Sequence, residues 1–550
     1  LPMCDGKQWI GKALFVIALG YVAIGVFPFA PMESDGNHIA NGVTQMLLGE
    51  SPKNTFSYRY EAQSGTYWMT YWLSKISGMK PLMSFGVLSA ISALVFLLSA
   101  SFSLAQFTKG DFALIGLMLL TFQESWTNAY YPNSNILAAA FLFSGFLMSI
   151  RSRKPTSLIF AGLLLGLGVW MRFDALLIFP ALPLLSHHNS WRERGYKSFL
   201  IGIWAGITIL AALYLSDVSL REILLSSQRH FQLRAATTPG LGIPWLGNSN
   251  VKSHLAYFSL FNLALLGLSL ILLLSSHQWK VIGIFGLGVL PVYLTYLGDL
   301  TTPKYLLYVT PFFSLLAVKG WRNILELPFK ARIVWIGLLG LLFVGQYGLG
   351  LRLRFQSKPY YYAADPTFAH LLRTQIPLKS VDELSLVIGA GARISTVDRD
   401  RLFSGILYAP LMWRTQKTSL NSALHQLAER IDQSQQIPVY VLVDEDDPLQ
   451  QVLIFLFDRE YRCEQISLRE RTVYPCRREG DGHKVVLMDI QENVTRRPEI
   501  SAENLAAANV QHFFFVVTAP WQEHLIDQHF LNDPNWEVKK LNILVYEFGF

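Results

Sequence analysis

Charge and cysteine are both scarce in this sequence. Asp, Glu, Lys and Arg make up 15% of its 550 residues, against about 25% in soluble globular domains, which argues against a water-soluble globule. Three cysteines allow one bridge at most and exclude a disulfide framework. No internal repeat or low-complexity tract is present, so nothing suggests the paired halves of many transporters. What the chain has instead is 51% hydrophobic and 13% aromatic residues and a mean hydropathy of +0.31. These predict a polytopic α-helical membrane protein. The net charge of +7 falls largely in short loops between apolar runs, where membrane topology explains it without a nucleic acid partner.

Apolar segments of spanning length, or close to it, lie near 11–29, 81–105, 111–123, 134–150, 157–171, 174–185, 198–215, 254–275, 281–298, 304–319 and 332–350, about eleven transmembrane helices. The first follows Lys7 and Lys12 and lacks a small-residue cleavage site, so it reads as a retained anchor. Arg151 to Lys154, Arg192, Arg194, Lys197, Lys280 and the stretch from Lys319 to Arg332 fall on one side if the spans alternate. That side, with the N-terminus, is expected to be cytoplasmic. The opposite face then carries the loop 30–80, the turn 124–133, the loop 216–253 with a lid-like Gly/Pro-rich stretch, the turn 299–304 and everything after Arg352.

Beyond residue 351 the apolar runs shorten to strand length at 384–388, 439–443, 485–489, 513–517 and 541–548. A soluble extracytoplasmic α/β domain is expected over 351–550, after a hinge with Arg352, Arg354, Lys358 and Tyr360 to Tyr362. Cys463 and Cys476 flank a turn there, and an oxidising compartment would allow them to pair. The other reading is two unrelated buried thiols. The sequon at Asn493-Val494-Thr495 carries little weight, since such triplets arise by chance.

The informative stretch leaves the first apolar segment through Pro28 and Pro31 and at once presents Glu33-Ser34-Asp35-Gly36-Asn37-His38. The prolines stop the first helix. Asp35 or Asn37 is then expected to cap an amphipathic helix over 36–48. Glu33 and Asp35 are the candidate catalytic acids, able to accept a proton or, together, to hold a Mg or Mn ion; the competing reading is a helix cap on a solvated loop. Arg59 and Glu61 are placed to orient a sugar or phosphate, ahead of an aromatic stretch through Tyr67, Trp68, Tyr71 and Trp72 that suits an interfacial helix. Arg172 offers a fork of donors for phosphate oxygens, with Asp174 either completing the site or forming a structural ion pair. Arg229 and His230 lie in the 216–253 loop. Lys304 and Tyr305 close the 299–304 turn as candidate phosphate ligands or as interfacial anchors.

The acidic motif after the first span, the Tyr67-Trp68 helix, Tyr131-Pro132-Asn133, the run from Ala161 through Gly168 to Arg172-Phe173-Asp174, and Pro303-Lys304-Tyr305 resemble the GT-C superfamily of polyprenyl-phosphate-sugar-dependent glycosyltransferases. The likeness is to the branch of protein O-mannosyltransferases and aminoarabinose lipid A transferases, and covers roughly residues 10–350. The resemblance implies a transmembrane catalytic module over 1–350 in a bacterial inner membrane, working in cell-envelope glycan biosynthesis. It also implies inverting transfer from a polyprenyl-phosphate sugar donor to a glycan, lipid or protein acceptor. By it, Asp35 is the general base, and Arg172 and Lys304 are candidates for the carrier phosphate. Glu61 or Glu124 would be the family's second acid, and metal dependence stays open because it varies within the superfamily. Two other classes compete. A transporter or flippase predicts ionisable groups along the bilayer midplane, and an envelope scaffold predicts an external ligand-binding domain that the spans merely anchor.

Overall fold

A computed structural model describes residues 6–356 and 414–549, apart from 31–33, 123–131 except Ser125, 186–190, 238–259, 297–306, 490–511, 517–536 and a few isolated positions. The expected strand at 384–388 and the tyrosines of the hinge lie outside these residues.

The N-terminal region is helical: α1 (Gly6–Ile24), α2 (Ser34–Leu47), α3 (Tyr60–Ser77), α4 (Pro81–Ala105), α5 (Phe112–Thr121), α6 (Ser134–Arg151) and α7 (Pro155–Met171), then α8 (Trp191–Leu215), α9 (Leu220–Thr237), α10 (Leu260–Ser275), α11 (Trp279–Tyr296), α12 (Thr310–Glu326) and α13 (Phe329–Gln356). Proline opens α4, α7 and α12 within their first two positions, where its missing N–H costs nothing. Asp111 caps α5 by accepting from the Leu114 N–H at 3.1 Å. Gly162 and Gly166 let α8 close on α7. A Cβ added at Gly162 would meet the Ile201 carbonyl oxygen at 2.7 Å, and one at Gly166 the Ala205 oxygen at 2.8 Å.

Among the described residues two helices, Pro81–Thr108 and Arg192–Leu215, are long and apolar enough to cross a membrane. Other apolar helices run 10–17 residues. Phe199, Leu210, Tyr214 and Leu215 on α8 and Val334, Leu341 and Val344 on α13 are exposed, a larger display of apolar side chains than water alone favours.

Several boundaries differ from the expected ones for identifiable reasons. The segment expected as a span at 174–185 is a 3-10 helix over Phe173–Ala181 with Pro180 inside it, followed by the short turn Leu182–Leu185. The loop expected at 216–253 begins as α9, because Ser219 and Glu222 form a capping box. The Ser219 N–H donates to Glu222 Oε2 at 2.7 Å and the Glu222 N–H to Ser219 Oγ at 3.2 Å. The span expected at 304–319 continues as helix α12 through Lys319 and Arg322, the latter paired with Asp111 at 3.3 Å.

The C-terminal region is built on a mixed sheet. Its strands are β1 (Val439–Val443), β2 (Tyr461–Cys463), β3 (Ile466–Leu468), β4 (Arg471–Arg478), β5 (Lys484–Asp489), β6 (His512–Val516), β7 (Glu537–Lys540) and β8 (Val545–Gly549). They lie in the order β2-β4-β5-β1-β6-β8-β7, with β3 on β4. β1 runs parallel to β5 and β6, and the outer pairs are antiparallel. The apolar run at 541–548 is a hairpin rather than one strand, since the Leu541 N–H bonds back to the Val545 carbonyl. Helices α14 (420–433) and α15 (Asp446–Phe457) supply Leu424, Leu427, Leu453 and Leu456 to a core against Val439, Val441 and Val485. Cys463 and Cys476 face each other across β2 and β4 and form a disulfide. Ala30, Ala40 and Phe56, from the helical region, belong to this core as well.

Candidate active site

Helix α2 starts at Ser34, before either expected cap, so Asp35 lies half-buried inside the first turn. There the helix's open backbone N–H groups favour a carboxylate. Gly36 makes this placement possible. A Cβ there would collide with the Pro132 carbonyl oxygen and reach the Phe85 ring at 3.7 Å. The N-terminus of α2 is thereby pressed onto the turn that opens α6 and onto α4. Glu33 lies outside the described residues.

That α6 opening belongs to a buried polar cluster. Arg172 leaves α7 in extended conformation (φ −160°) and is 4% exposed. Its Nε donates to Asp174 Oδ2 at 2.8 Å and its Nη1 to Ser134 Oγ at 2.9 Å. The Ser134 hydroxyl in turn donates to Gln63 Oε1 at 2.7 Å. The Tyr308 hydroxyl lies 3.3 Å from Asn135 Oδ1 and 3.5 Å from Asp174 Oδ1, and Asn133 Oδ1 accepts from the Asn135 N–H at 3.0 Å. Gln63 reaches the cluster because its backbone (φ −146°, ψ 29°) interrupts α3. Charge buried to this degree is tolerable only when each donor has an acceptor.

Ahead of α3, Arg59 takes the left-handed conformation (φ 51°). Its Nε is buried with no hydrogen-bond partner among the described residues. Glu61, half-buried, occupies the first turn of α3. Helix α3 is pinned to the ends of α7 and α8 through Ser216, whose carbonyl accepts from the Tyr60 hydroxyl at 3.2 Å and whose Oγ accepts from Trp170 Nε1 at 2.8 Å. Burial raises the Tyr60 phenol to about 12, so it stays a donor. Lys53 ties the intervening loop to α9 through Glu222 at 2.9 Å. The Ser219 backbone N–H, and after it Lys53, hold the Glu222 carboxyl down at about 2.

No family model matches the chain, and no curated protein matches it by sequence. Solved structures do match. ArnT from Cupriavidus metallidurans bound to undecaprenyl phosphate superposes with a TM-score of 0.57 at 13% identity, over 99% of this chain and 98% of that one. The same protein in the apo state gives 0.51 at 12% identity, again over 99% and 98%. The chain has the ArnT fold. An oligosaccharyltransferase from Archaeoglobus fulgidus, with a TM-score of 0.42 at 12% identity over 82% of this chain and 64% of that one, is too distant to carry an argument. The many-helix architecture with a C-terminal α/β region expected from the sequence is thus the architecture found.

Within the ArnT fold, Gly36, the residue after Asp35, meets the α6 opening at Pro132, two residues before Ser134, which bonds Arg172. Arg59 and Glu61 stand at the head of α3, the helix that sends Gln63 into the same cluster. Arg229 and His230 lie on α9 by backbone alone, their side chains outside the described residues. Lys304, Tyr305, Glu124 and Tyr131 lie outside them altogether. Among the described residues no three His, Cys, Asp or Glu gather as a metal site; of the metal pair read from the sequence, Asp35 is described and Glu33 is not. Sequence reasoning missed Gln63, Ser134, Asn135 and Tyr308. Their signal was a neutral polar residue at the start of, or inside, an apolar run.

Proposed function

We propose that the chain is an integral membrane glycosyltransferase that takes a sugar from a polyprenyl-phosphate carrier and delivers it, with inversion, to a glycan, lipid or protein acceptor on the extracytoplasmic face. The observation that carries this reading is the ArnT fold over nearly the whole chain, supported by the packing of the α2 first turn, through Gly36, on the turn that leads to the Arg172 partner Ser134. One of the ArnT structures that superpose on the chain holds undecaprenyl phosphate, a carrier of the proposed class. Helices α4 and α8 cross an inner membrane outright, and the shorter apolar helices, tilted or shielded by neighbours, complete about eleven spans. The N-terminus is cytoplasmic, and the division falls near 350, with 351–550 outside.

In this reading Asp35 takes a proton from the acceptor hydroxyl or amine as that group attacks the anomeric carbon. The bond from that carbon to the phosphate oxygen breaks, and polyprenyl phosphate leaves with the electron pair. Arg59, whose buried Nε has no hydrogen-bond partner among the described residues, is the best-placed described cation for a phosphate oxygen. Lys304, Tyr305, Arg229 and His230 are further candidate ligands of the carrier phosphate. Arg172, already committed to Asp174 and Ser134, holds the floor of the site in place and offers the phosphate its remaining charge.

The test is turnover of a polyprenyl-phosphate sugar panel by purified protein in nanodiscs, beside Asp35→Asn. The expected result is one donor consumed by wild type, with a loss of about 100-fold or more in the variant. Retained transfer in Asp35→Asn removes Asp35 as the base, and no consumption of any donor by wild type removes the transferase reading.

A further inference from the structure

We propose that the α/β domain is a positioning element for Asp35: Lys417 and Asn421 hold the backbone ahead of the first turn of α2, Gln450 holds the Asn41 side chain beyond it, and together they set the carboxylate's place. The inference rests on the function proposed above. Upstream of α2, the wholly buried Lys417 Nζ donates to the carbonyls of Gly25 at 3.0 Å and Val26 at 2.7 Å. Asn421 Nδ2 donates to the Phe29 carbonyl at 2.9 Å. Downstream, the wholly buried Asn41 gives its amide to Gln450 twice, to the main-chain oxygen at 3.1 Å and to Oε1 at 2.8 Å. The holds at Phe29 and Asn41 bracket Asp35, the second lying about 9 Å from it along the helix axis.

These bonds are directional, unlike the apolar contacts beside them. Phe56 meets Phe457 edge-on at 5.4 Å and Tyr474 at 6.0 Å, and Lys80 pairs with Asp458 at 2.9 Å. An apolar seam would bury α2 equally well without fixing its rotation or its advance along its own axis. The seam also leaves Gln45 Nε2 and both side-chain polar atoms of Gln451 buried without hydrogen-bond partners among the described residues. That cost is hard to explain by stability alone. Burial lowers the Lys417 amine to about 7.

The test compares Lys417→Met with wild type in nanodiscs. It measures turnover of the donor that wild type consumes, affinity for undecaprenyl phosphate, and amide exchange. The expected result is kcat lower by about 10- to 100-fold with affinity unchanged within about twofold, the signature of a misplaced reacting group. Exchange across 34–47 should quicken while β1, β5 and β6 keep their protection. Unchanged kcat, a parallel loss of affinity, or unchanged exchange across 34–47 each overturns the proposal. Asn421→Leu, a near-isosteric change at a part-buried position, repeats the test should Lys417→Met lose the sheet's protection. Asp35→Asn in the same assay keeps the two ideas apart. If it turns over like wild type, the catalytic reading falls, and the exchange data still report whether the domain grips α2.

Discussion

The helical region and the α/β domain hold charge in opposite ways. At the candidate site among the helices one guanidinium, Arg172, pairs with one carboxylate, Asp174, with side-chain exposures of 5% and 15%, and the neutral Ser134 and Tyr308 hydroxyls lie against them. In the α/β domain the Asp432 carboxylate serves two guanidinium groups, Arg459 and Arg478, with a further bond from the Tyr461 hydroxyl at 3.2 Å. Side-chain exposures there run from 22% to 27%, so water can take up a lost partner. The same ion-pair chemistry is therefore costly to break at the candidate site and cheap in the domain.

Removing Arg172 as Ala should destabilise the protein by about 3–5 kcal/mol, because Asp174 is left charged in a buried place. Thermal unfolding in detergent measures this, and an Arg172→Ala, Asp174→Ala pair should recover some of the loss. If the single variant unfolds like wild type, the contrast between the two regions disappears. Replacing both Cys463 and Cys476 by Ser should cost about 3 kcal/mol in the chain-entropy model, read as earlier proteolysis of the domain in denaturant. Asp432→Asn should cost only about 1 kcal/mol, in keeping with a half-solvated pair. A loss as large as that of Arg172→Ala would erase the comparison from the other side.

The smallest effect concerns Glu222, whose carboxyl lies at about 2 in the folded protein against an ordinary 4.5. A lowered carboxylate contributes stability that is present above pH 4.5 and is lost as pH falls toward 2. Glu222→Gln should flatten that slope in acid unfolding curves, by a modest amount because the group is largely solvated. An unchanged slope would show that the Ser219 and Lys53 contacts do not persist in solution.

The fold was legible wherever apolar runs met proline or polar punctuation. The run at 81–105 became Pro81–Ala105, and 439–443 became β1 to the residue. Segments that satisfied two patterns were misjudged. Arg322 was expected beyond the end of the 304–319 span because of its charge, yet α12 runs on to Glu326 with Arg322 against Asp111. At the site, Asp35 and the Arg172–Asp174 pair were visible because charge beside an apolar run stands out. Gln63, Ser134, Asn135 and Tyr308 were not. Their importance comes from α3, α6 and the entry to α12 converging in space, and no spacing within the chain encodes that.

Asp35 leaves the ribosome well before the residues proposed to hold its helix: Lys417, Asn421 and Gln450 arrive almost four hundred residues or more later, the Asn41–Gln450 bond alone joining positions 409 apart. A nascent or prematurely ended chain would therefore thread its helices into place with the acidic corner still loose. The stretch from Lys417 to Gln450 would then act as a proofreading step, arming the site only once it has been translated and folded.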